Sequence, residues 1–277
     1  MKATEASFNG ERDCNIFYRK WEPEDSPGKG LILLIHGYAE HSGRYTLLAE
    51  YLIGRGYVIY APDHRCHGCS GGEKALVDDM DCMLDDLAHL LDIATGEHPT
   101  LPVFAVGHSL GGLLATCFTI LHQDRLAGTV LSAPAIMVAA DTPGIVKTIS
   151  TVLARVAPRL GVQELDSAWL SHDPAIAADY DSDPLNYRGK VMARTGAEML
   201  RKARWAMDNV AAISIPILCL QGSEDKLAAP AGSQYIYDHA SSTDKTIHIF
   251  NGLYHEIFNE LGKEKIYEMV GDWLDAH

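Results

Sequence analysis

The stretch Val103-Phe104-Ala105-Val106-Gly107-His108-Ser109-Leu110-Gly111-Gly112-Leu113 runs from an unbroken apolar segment into small residues, with one serine at the junction. Val103 to Val106 predicts a buried strand, and Leu110-Gly111-Gly112-Leu113 predicts the opening of a helix. Gly107 and Gly111 lack Cβ, so strand and helix can approach closely across a strained turn. A serine at the tip of such a turn is a nucleophile elbow. The first N–H groups of the helix then point at the reacting centre, ready for negative charge.

The pattern alone is weak. With 15 serines and 24 glycines in 277 residues, chance supplies Gly-x-Ser-x-Gly in roughly one such chain in nine. A second match exists at Gly68-Cys69-Ser70-Gly71-Gly72. It follows the irregular stretch Pro62-Asp63-His64-Arg65-Cys66-His67, and Gly72-Glu73-Lys74 opens no helix. Ser70 therefore reads as a loop residue, and context selects Ser109.

At 277 residues, 47% apolar and 22% charged, the chain has the composition of a globular protein, either one substantial domain or two small ones. A net charge of −14 argues against nucleic acid and anionic membrane surfaces as partners, since both need basic patches. No apolar run approaches the ~18–20 residues of a membrane span. Met1 to Ala6 carries an acid and no apolar core, so no secretory signal is visible and a cytoplasmic location is expected. The six cysteines are then expected as reduced thiols. His64-x-Cys66-His67-x-Cys69 has metal-ligand residue types but no second ligand pair at a fingerlike spacing, so no metal is expected.

Strand-like and helical segments alternate. Leu31 to Ile35 reads as a strand buried on both faces. Arg44 to Gly54 reads as a helix presenting Leu47, Leu48, Tyr51 and Leu52, and Tyr57 to Ala61 as the next strand. Asp79 to Glu97 reads as a helix striped by Met80, Leu84, Leu87 and Leu91, and Thr129 to Ser132 as a strand after the elbow helix. This alternation predicts an α/β fold with a doubly wound, mainly parallel sheet. It breaks after Ser132. The next clear strand is Ile215 to Leu220, leaving about 80 residues where one helix would serve. Residues 134–205 are therefore read as an inserted helical cap (lid), with 1–133 and 206–277 as the core. Ile145, Ile149, Val152, Leu153 and Val156 recur at helical spacing inside it, and Ile149 is expected to wall a substrate. A helix from Ala231 to His239, a strand from Thr246 to Phe250 and a helix from Lys263 to Ala276 close the chain.

A serine nucleophile needs a base, and the base needs an orienting carboxylate. The partners should follow in the order serine, acid, histidine, each just after a strand. Gln221-Gly222-Ser223-Glu224-Asp225 offers Glu224 or Asp225, and Asn251-Gly252-Leu253-Tyr254-His255-Glu256 offers His255. Oxyanion donors are expected from the N–H of Leu110 and, in the loop His36-Gly37-Tyr38-Ala39, from that of Tyr38.

Four segments together resemble the monoacylglycerol lipases of the α/β-hydrolase superfamily. They are His36-Gly37-Tyr38-Ala39-Glu40-His41-Ser42-Gly43-Arg44-Tyr45, Gly107-His108-Ser109-Leu110-Gly111-Gly112, Tyr180-Asp181-Ser182-Asp183-Pro184-Leu185 and Gly252-Leu253-Tyr254-His255-Glu256. The resemblance covers nearly the whole chain and implies an α/β-hydrolase fold. It implies Ser109, Asp225 and His255 as the triad, with Tyr38 and Leu110 as oxyanion donors. It also implies Glu40 and Arg44 near a glycerol head group, with Tyr180 beside the substrate. The implied activity is cofactor-independent cleavage of single-chain acylglycerols, with lysophospholipase or broad carboxylesterase activity as the nearest alternatives. A non-catalytic binding protein on the same fold is the remote one. The implied partner is a small lipid ester, with transient contact between the cap and a lipid interface. Two positions depart from the family: Tyr38 stands where a small or apolar residue is usual, and Cys66 where a glycine is customary.

Overall fold

The computed structural model describes residues 3–24, 26–137 and 153–277; Ile145, Ile149 and Val152 of the expected cap stripe lie outside the described residues. In chain order the strands and helices are β1 (Thr4–Asn9), β2 (Asn15–Trp21), β3 (Gly30–Ile35), α1 (Thr46–Gly54), β4 (Tyr57–Pro62), α2 (Met80–Glu97), β5 (Val103–His108), α3 (Leu110–His122) and β6 (Gly128–Ser132). They continue with β7 (Gly161–Gln163), α4 (Pro174–Ser182), β8 (Val191–Met192), α5 (Ala193–Asn209), β9 (Ile217–Gly222), α6 (Pro230–His239), β10 (Lys245–Phe250) and α7 (Glu264–Ala276).

Eight strands form one sheet in the order β1-β2-β4-β3-β5-β6-β9-β10. From β4 to β10 every pairing is parallel, while β1 and β2 add an antiparallel edge. The apolar run of β3 shows why the sheet is covered on both sides. Leu31, Leu33 and Ile35 turn to one face, packed with residues of α2 and α3. Ile32 and Leu34 turn to the other, packed with residues of α1 and α7. All five are at most 1% exposed, and each buried side chain of this kind is worth about 1.5–3 kcal/mol.

The winding reverses between β3 and β5, whose paired ends are Ile35 and Gly107. Loops leaving this point diverge and open a crevice at the carboxyl edge of the sheet. The loops after β3, β5, β9 and β10 all emerge at that edge. The 84 residues between β6 and β9 carry β7, β8, α4 and α5. The expected boundary at 205 falls inside α5, whose Ala203 and Ala206 pack into the main core.

Two local expectations are corrected. Ser42–Tyr45 is a 3-10 turn and α1 begins at Thr46. Its buried face is Leu48, Ala49, Leu52 and Ile53, with Leu47 left 53% exposed. The polar edge strands β1 and β2 contain no apolar run: β1 has no buried residue and β2 buries only Ile16, Tyr18 and Trp21.

Candidate active site

Ser109 sits at φ 55°, ψ −116° between β5 and α3. Such a backbone is strained for any residue but glycine, and is kept because the surroundings over-determine it. Its N–H donates to the carbonyl of Ser132 at 2.9 Å, and its own carbonyl accepts from Leu113 and Ala135 at 3.0 Å each. The two glycines of the motif have steric reasons: a Cβ on Gly107 would run into the Gly111 backbone, and one on Gly111 into the carbonyl of Ile35. Ser70, by contrast, spends its hydroxyl on loop structure, donating to the Asp63 carbonyl at 2.6 Å and accepting from the Phe17 N–H at 2.9 Å.

His255 follows β10 and its Nε2 stands 2.8 Å from Ser109 Oγ, while Nδ1 stands 2.7 Å from Asp225 Oδ2. Between the two acids left open by spacing, geometry separates Asp225, which is buried, from Glu224, which is exposed. The Asp225 carboxylate also accepts from Gln221 at 2.7 Å and from the N–H groups of Leu227 and Ala228 at 2.8 and 2.9 Å. Burial alone would raise its pKa, but the His255 charge and these donors hold it below the ordinary carboxylate value. For His255 burial pulls downward, yet Asp225, Glu256 and Glu40 outweigh it and the pKa is raised. His108, whose ring lies 4.7 Å from that of His255 and tilted by 52°, is pushed down to about 3 by burial and by that neighbour, so it is neutral.

The loop after β3 lies against the nucleophile: a Cβ on Gly37 would sit 3.2 Å from Ser109 Cβ. The next N–H along the chain is that of Tyr38. Its phenol donates to the Ala75 carbonyl at 3.1 Å, which anchors the side chain away from the nucleophile. Ala39 takes a left-handed φ of 66°, and its carbonyl accepts from Tyr187 N–H at 2.9 Å and Tyr180 Oη at 3.1 Å. Tyr180 thus reaches this loop from α4. Behind it, His36 Nε2 accepts from the His64 N–H at 2.9 Å and His64 Nε2 faces the His36 carbonyl at 3.0 Å. His64 and Cys66 therefore belong to the loop's support, Cys66 at a left-handed φ of 67° where a glycine would be unstrained.

Glu40 and Arg44 do reach the site, but their charged atoms are already partnered. Glu40 Oε1 accepts from Gly37 N–H at 2.6 Å and Tyr45 Oη at 2.7 Å, and Oε2 accepts from Arg44 Nη1 at 2.6 Å. Arg44 also forks onto Glu256, Nη1 to Oε1 at 2.5 Å and Nη2 to Oε2 at 2.8 Å. Glu256 was quoted in the histidine segment but given no role there. Its signal was a carboxylate directly after the histidine, and its partner lies 212 residues away. Burial alone would raise the Glu256 pKa, yet the Arg44 charge and fork hold it well below the usual carboxylate range.

Above the serine is a cavity of about 870 Å³. Its lining mixes apolar side chains, among them Ile136, Leu170, Met199 and Met207, with polar and charged ones that include Glu40, Arg44, Glu256, Arg194 and Arg201. Among the described residues no cluster of three or more His, Cys, Asp or Glu side chains could hold a metal. Ile149, the expected wall residue, lies outside the described residues.

Residues 26–262 match the family model described as serine aminopeptidase, S33. The chain is 34% identical to a monoacylglycerol lipase of Mycolicibacterium smegmatis, over 99% of this chain and 98% of that one. It belongs to the monoacylglycerol lipase family of α/β-hydrolases. A monoglyceride lipase of Homo sapiens is 33% identical over 94% of this chain and 86% of its own. The crystal structure of a Paleococcus ferrophilus monoacylglycerol lipase superposes with a TM-score of 0.82 at 30% identity, covering both chains in full. For this member of the family, the two departures cluster in one place. Tyr38 bonds to Ala75, and Ala75 N–H in turn donates to the Cys66 carbonyl at 2.7 Å.

Proposed function

We propose that the chain hydrolyses monoacylglycerols to glycerol and a fatty acid through an acyl-enzyme on Ser109. The observation that carries this reading is the Asp225–His255–Ser109 relay, at 2.7 and 2.8 Å, opening on a cavity lined by both apolar and polar side chains. His255 Nε2 takes the Ser109 proton as Oγ attacks the ester carbonyl, and Asp225 holds the opposite nitrogen in its N–H tautomer. The carbonyl oxygen gains charge against the N–H groups of Leu110 and Tyr38, an interaction worth 10²–10³ in rate per donor in other hydrolases. His255 then returns the proton to the departing glycerol oxygen. Water, deprotonated by the same nitrogen, frees the fatty acid.

The cavity's volume is within the range of single-ligand pockets, roughly 300–1,000 Å³. In this proposal residues 134–205 act as the cap. Its exposed Val156 and Leu160 lie near the cavity wall formed by Ala154 and Val162, supporting contact with a lipid interface. No helix among the described residues is long and apolar enough to cross a membrane. All six cysteines are free, which supports a reducing, cytoplasmic location.

The test is a comparison of kcat/KM across 1-decanoylglycerol, the matching lysophosphatidylcholine, a diacylglycerol, a short aryl ester and an aminoacyl anilide. Decanoylglycerol is expected to lead. An equal or better lysophosphatidylcholine rate moves the assignment to lysophospholipase, and a leading anilide moves it to aminopeptidase. A fluorophosphonate should label Ser109, and Ser109→Ala should lose the label together with all turnover, a loss on the order of 10⁶. Ser70→Ala should keep both.

A further inference from the structure

We propose that Arg44 and Glu256 are positioning residues, a buried clasp that sets the oxyanion loop against the loop of the catalytic histidine. The proposal rests on the roles given above to Ser109, His255 and Tyr38, and goes beyond them by removing Arg44 and Glu40 from direct head-group duty.

The geometry points to a clasp at both ends. On one side Glu40 Oε1 is pinned by the Gly37 N–H and by Tyr45, so the carboxylate grips the chain one residue before the Tyr38 donor. On the other side Glu256 directly follows His255, and its carboxylate also accepts from Asn259 at 2.8 Å while its N–H donates to the Leu170 carbonyl at 2.7 Å. Among the described residues Arg44 is the side chain that joins the two, with one bond to Glu40 and a two-pronged fork to Glu256. The three side chains are only 10, 4 and 5% exposed for Arg44, Glu40 and Glu256. A bidentate guanidinium–carboxylate pair fixes direction as well as distance, which a lysine cannot do. The loops it joins must be held to a fraction of an ångström, because a 1 Å misplacement of reacting groups costs about 10²-fold in rate.

The cluster has a second consequence. His255 faces Asp225, Glu256 and Glu40 as carboxylates, Arg44 as a cation, and neutral His108 and Ser109. Two of those carboxylates are balanced by one guanidinium, so the clasp leaves net negative charge near the imidazole and favours its protonated form. Replacing Glu256 by a neutral amide should weaken that support, whereas replacing Arg44 by lysine preserves the charge and removes only the fork.

The experiment uses the full chain with Glu256→Gln and Arg44→Lys, folding checked by thermal melt, and two substrates. One is 1-decanoylglycerol and the other an aryl butyrate, which has no glycerol. A clasp predicts that both variants lose about 10–100-fold in kcat on both esters, with KM changed less than about threefold and fluorophosphonate labelling slowed in step. It further predicts that the acid limb of kcat/KM moves to lower pH in Glu256→Gln and stays in place in Arg44→Lys. Loss confined to decanoylglycerol, seen as a raised KM with the aryl ester untouched, would make these residues head-group ligands and overturn the clasp. Unchanged kcat on both esters in either folded variant would overturn it as well. Should Glu256→Gln fail to melt cooperatively, Arg44→Lys alone decides through the same kcat against KM comparison. The aryl ester arm does not depend on monoacylglycerol being the substrate. Failure of the functional reading appears separately, as aryl ester turnover that survives Ser109→Ala.

Discussion

The phenol of Tyr180 stands 3.1 Å from the carbonyls of both Ala39 and Tyr187, so a residue of α4 ties the left-handed turn of the proposed oxyanion loop to the chain after α4. The same ring lies under the Arg44 guanidinium, 5.0 Å from its centroid. Tyr180→Phe keeps the ring and removes the bond, a change worth about 0.5–1.5 kcal/mol. We expect kcat to fall several-fold on long and short esters alike, with little change in melting temperature. A loss seen only in KM for decanoylglycerol would show Tyr180 to be a substrate ligand rather than a brace.

Asp225 is the acid that meets His255, and Glu224 faces solvent. Asp225→Asn should lower kcat by roughly 10⁴, the penalty of a lost tautomer preference in the serine protease case. Glu224→Gln should change kcat by less than twofold. Steady-state rates on one aryl ester suffice, and a reversed ranking would refute the relay drawn here.

In the proposed mechanism His255 is the base and works only when neutral, and its pKa is raised above the ordinary 6.5. Activity should therefore climb through an inflection above pH 6.5, and kcat/KM measured from pH 5 to 9 shows whether it does. Stability follows the same signs. The raised His255 pKa contributes stability that is complete below the unfolded value and fades as pH rises through the folded one. The depressed Glu256 pKa contributes stability that is present above its ordinary 4.5 and is lost as pH falls through the folded value. Melting temperature should thus drop on acidification below pH 4.5 in the wild type, and more shallowly in Glu256→Gln. Parallel curves would show that Glu256 is not a source of the acid sensitivity.

Met199 is one of the apolar side chains lining the cavity. Each methylene buried there is worth up to ~0.8 kcal/mol, so four extra carbons gain about 3 kcal/mol, roughly 200-fold in kcat/KM. Met199→Glu should cut hydrolysis of a decanoate ester far more than that of an acetate ester, which does not reach the wall. If the folded variant loses both rates by one factor, the acyl chain lies elsewhere.

Much of this site was readable in order along the chain, because its parts are local. The apolar run Leu31 to Ile35 specifies a doubly covered strand, and Gly107 is demanded by a contact its own turn creates, whereas Gly111 is demanded by the approach of the Ile35 carbonyl from β3. His255 stood out as the histidine in the loop after the last strand. Legibility weakened where burial is partial: β1 has no buried residue, β2 buries only Ile16, Tyr18 and Trp21, and the face of α1 was turned by the 3-10 entry at Ser42–Tyr45.

The sequence by itself therefore determined the sheet's parallel core, the elbow and the order serine, acid, histidine, since hydrophobic period and backbone sterics act over a few neighbouring residues. Spacing left Glu224 and Asp225 open and the family resemblance pointed to Asp225; the tertiary structure supplies the physical reason, because adjacent carboxylates differ in burial and partners rather than in spacing. It alone showed that Arg44 is consumed by Glu40 and Glu256. A buried charge is stable only when its countercharge arrives from elsewhere in the fold, and no pattern along the chain records which segment, 212 residues on, will supply it.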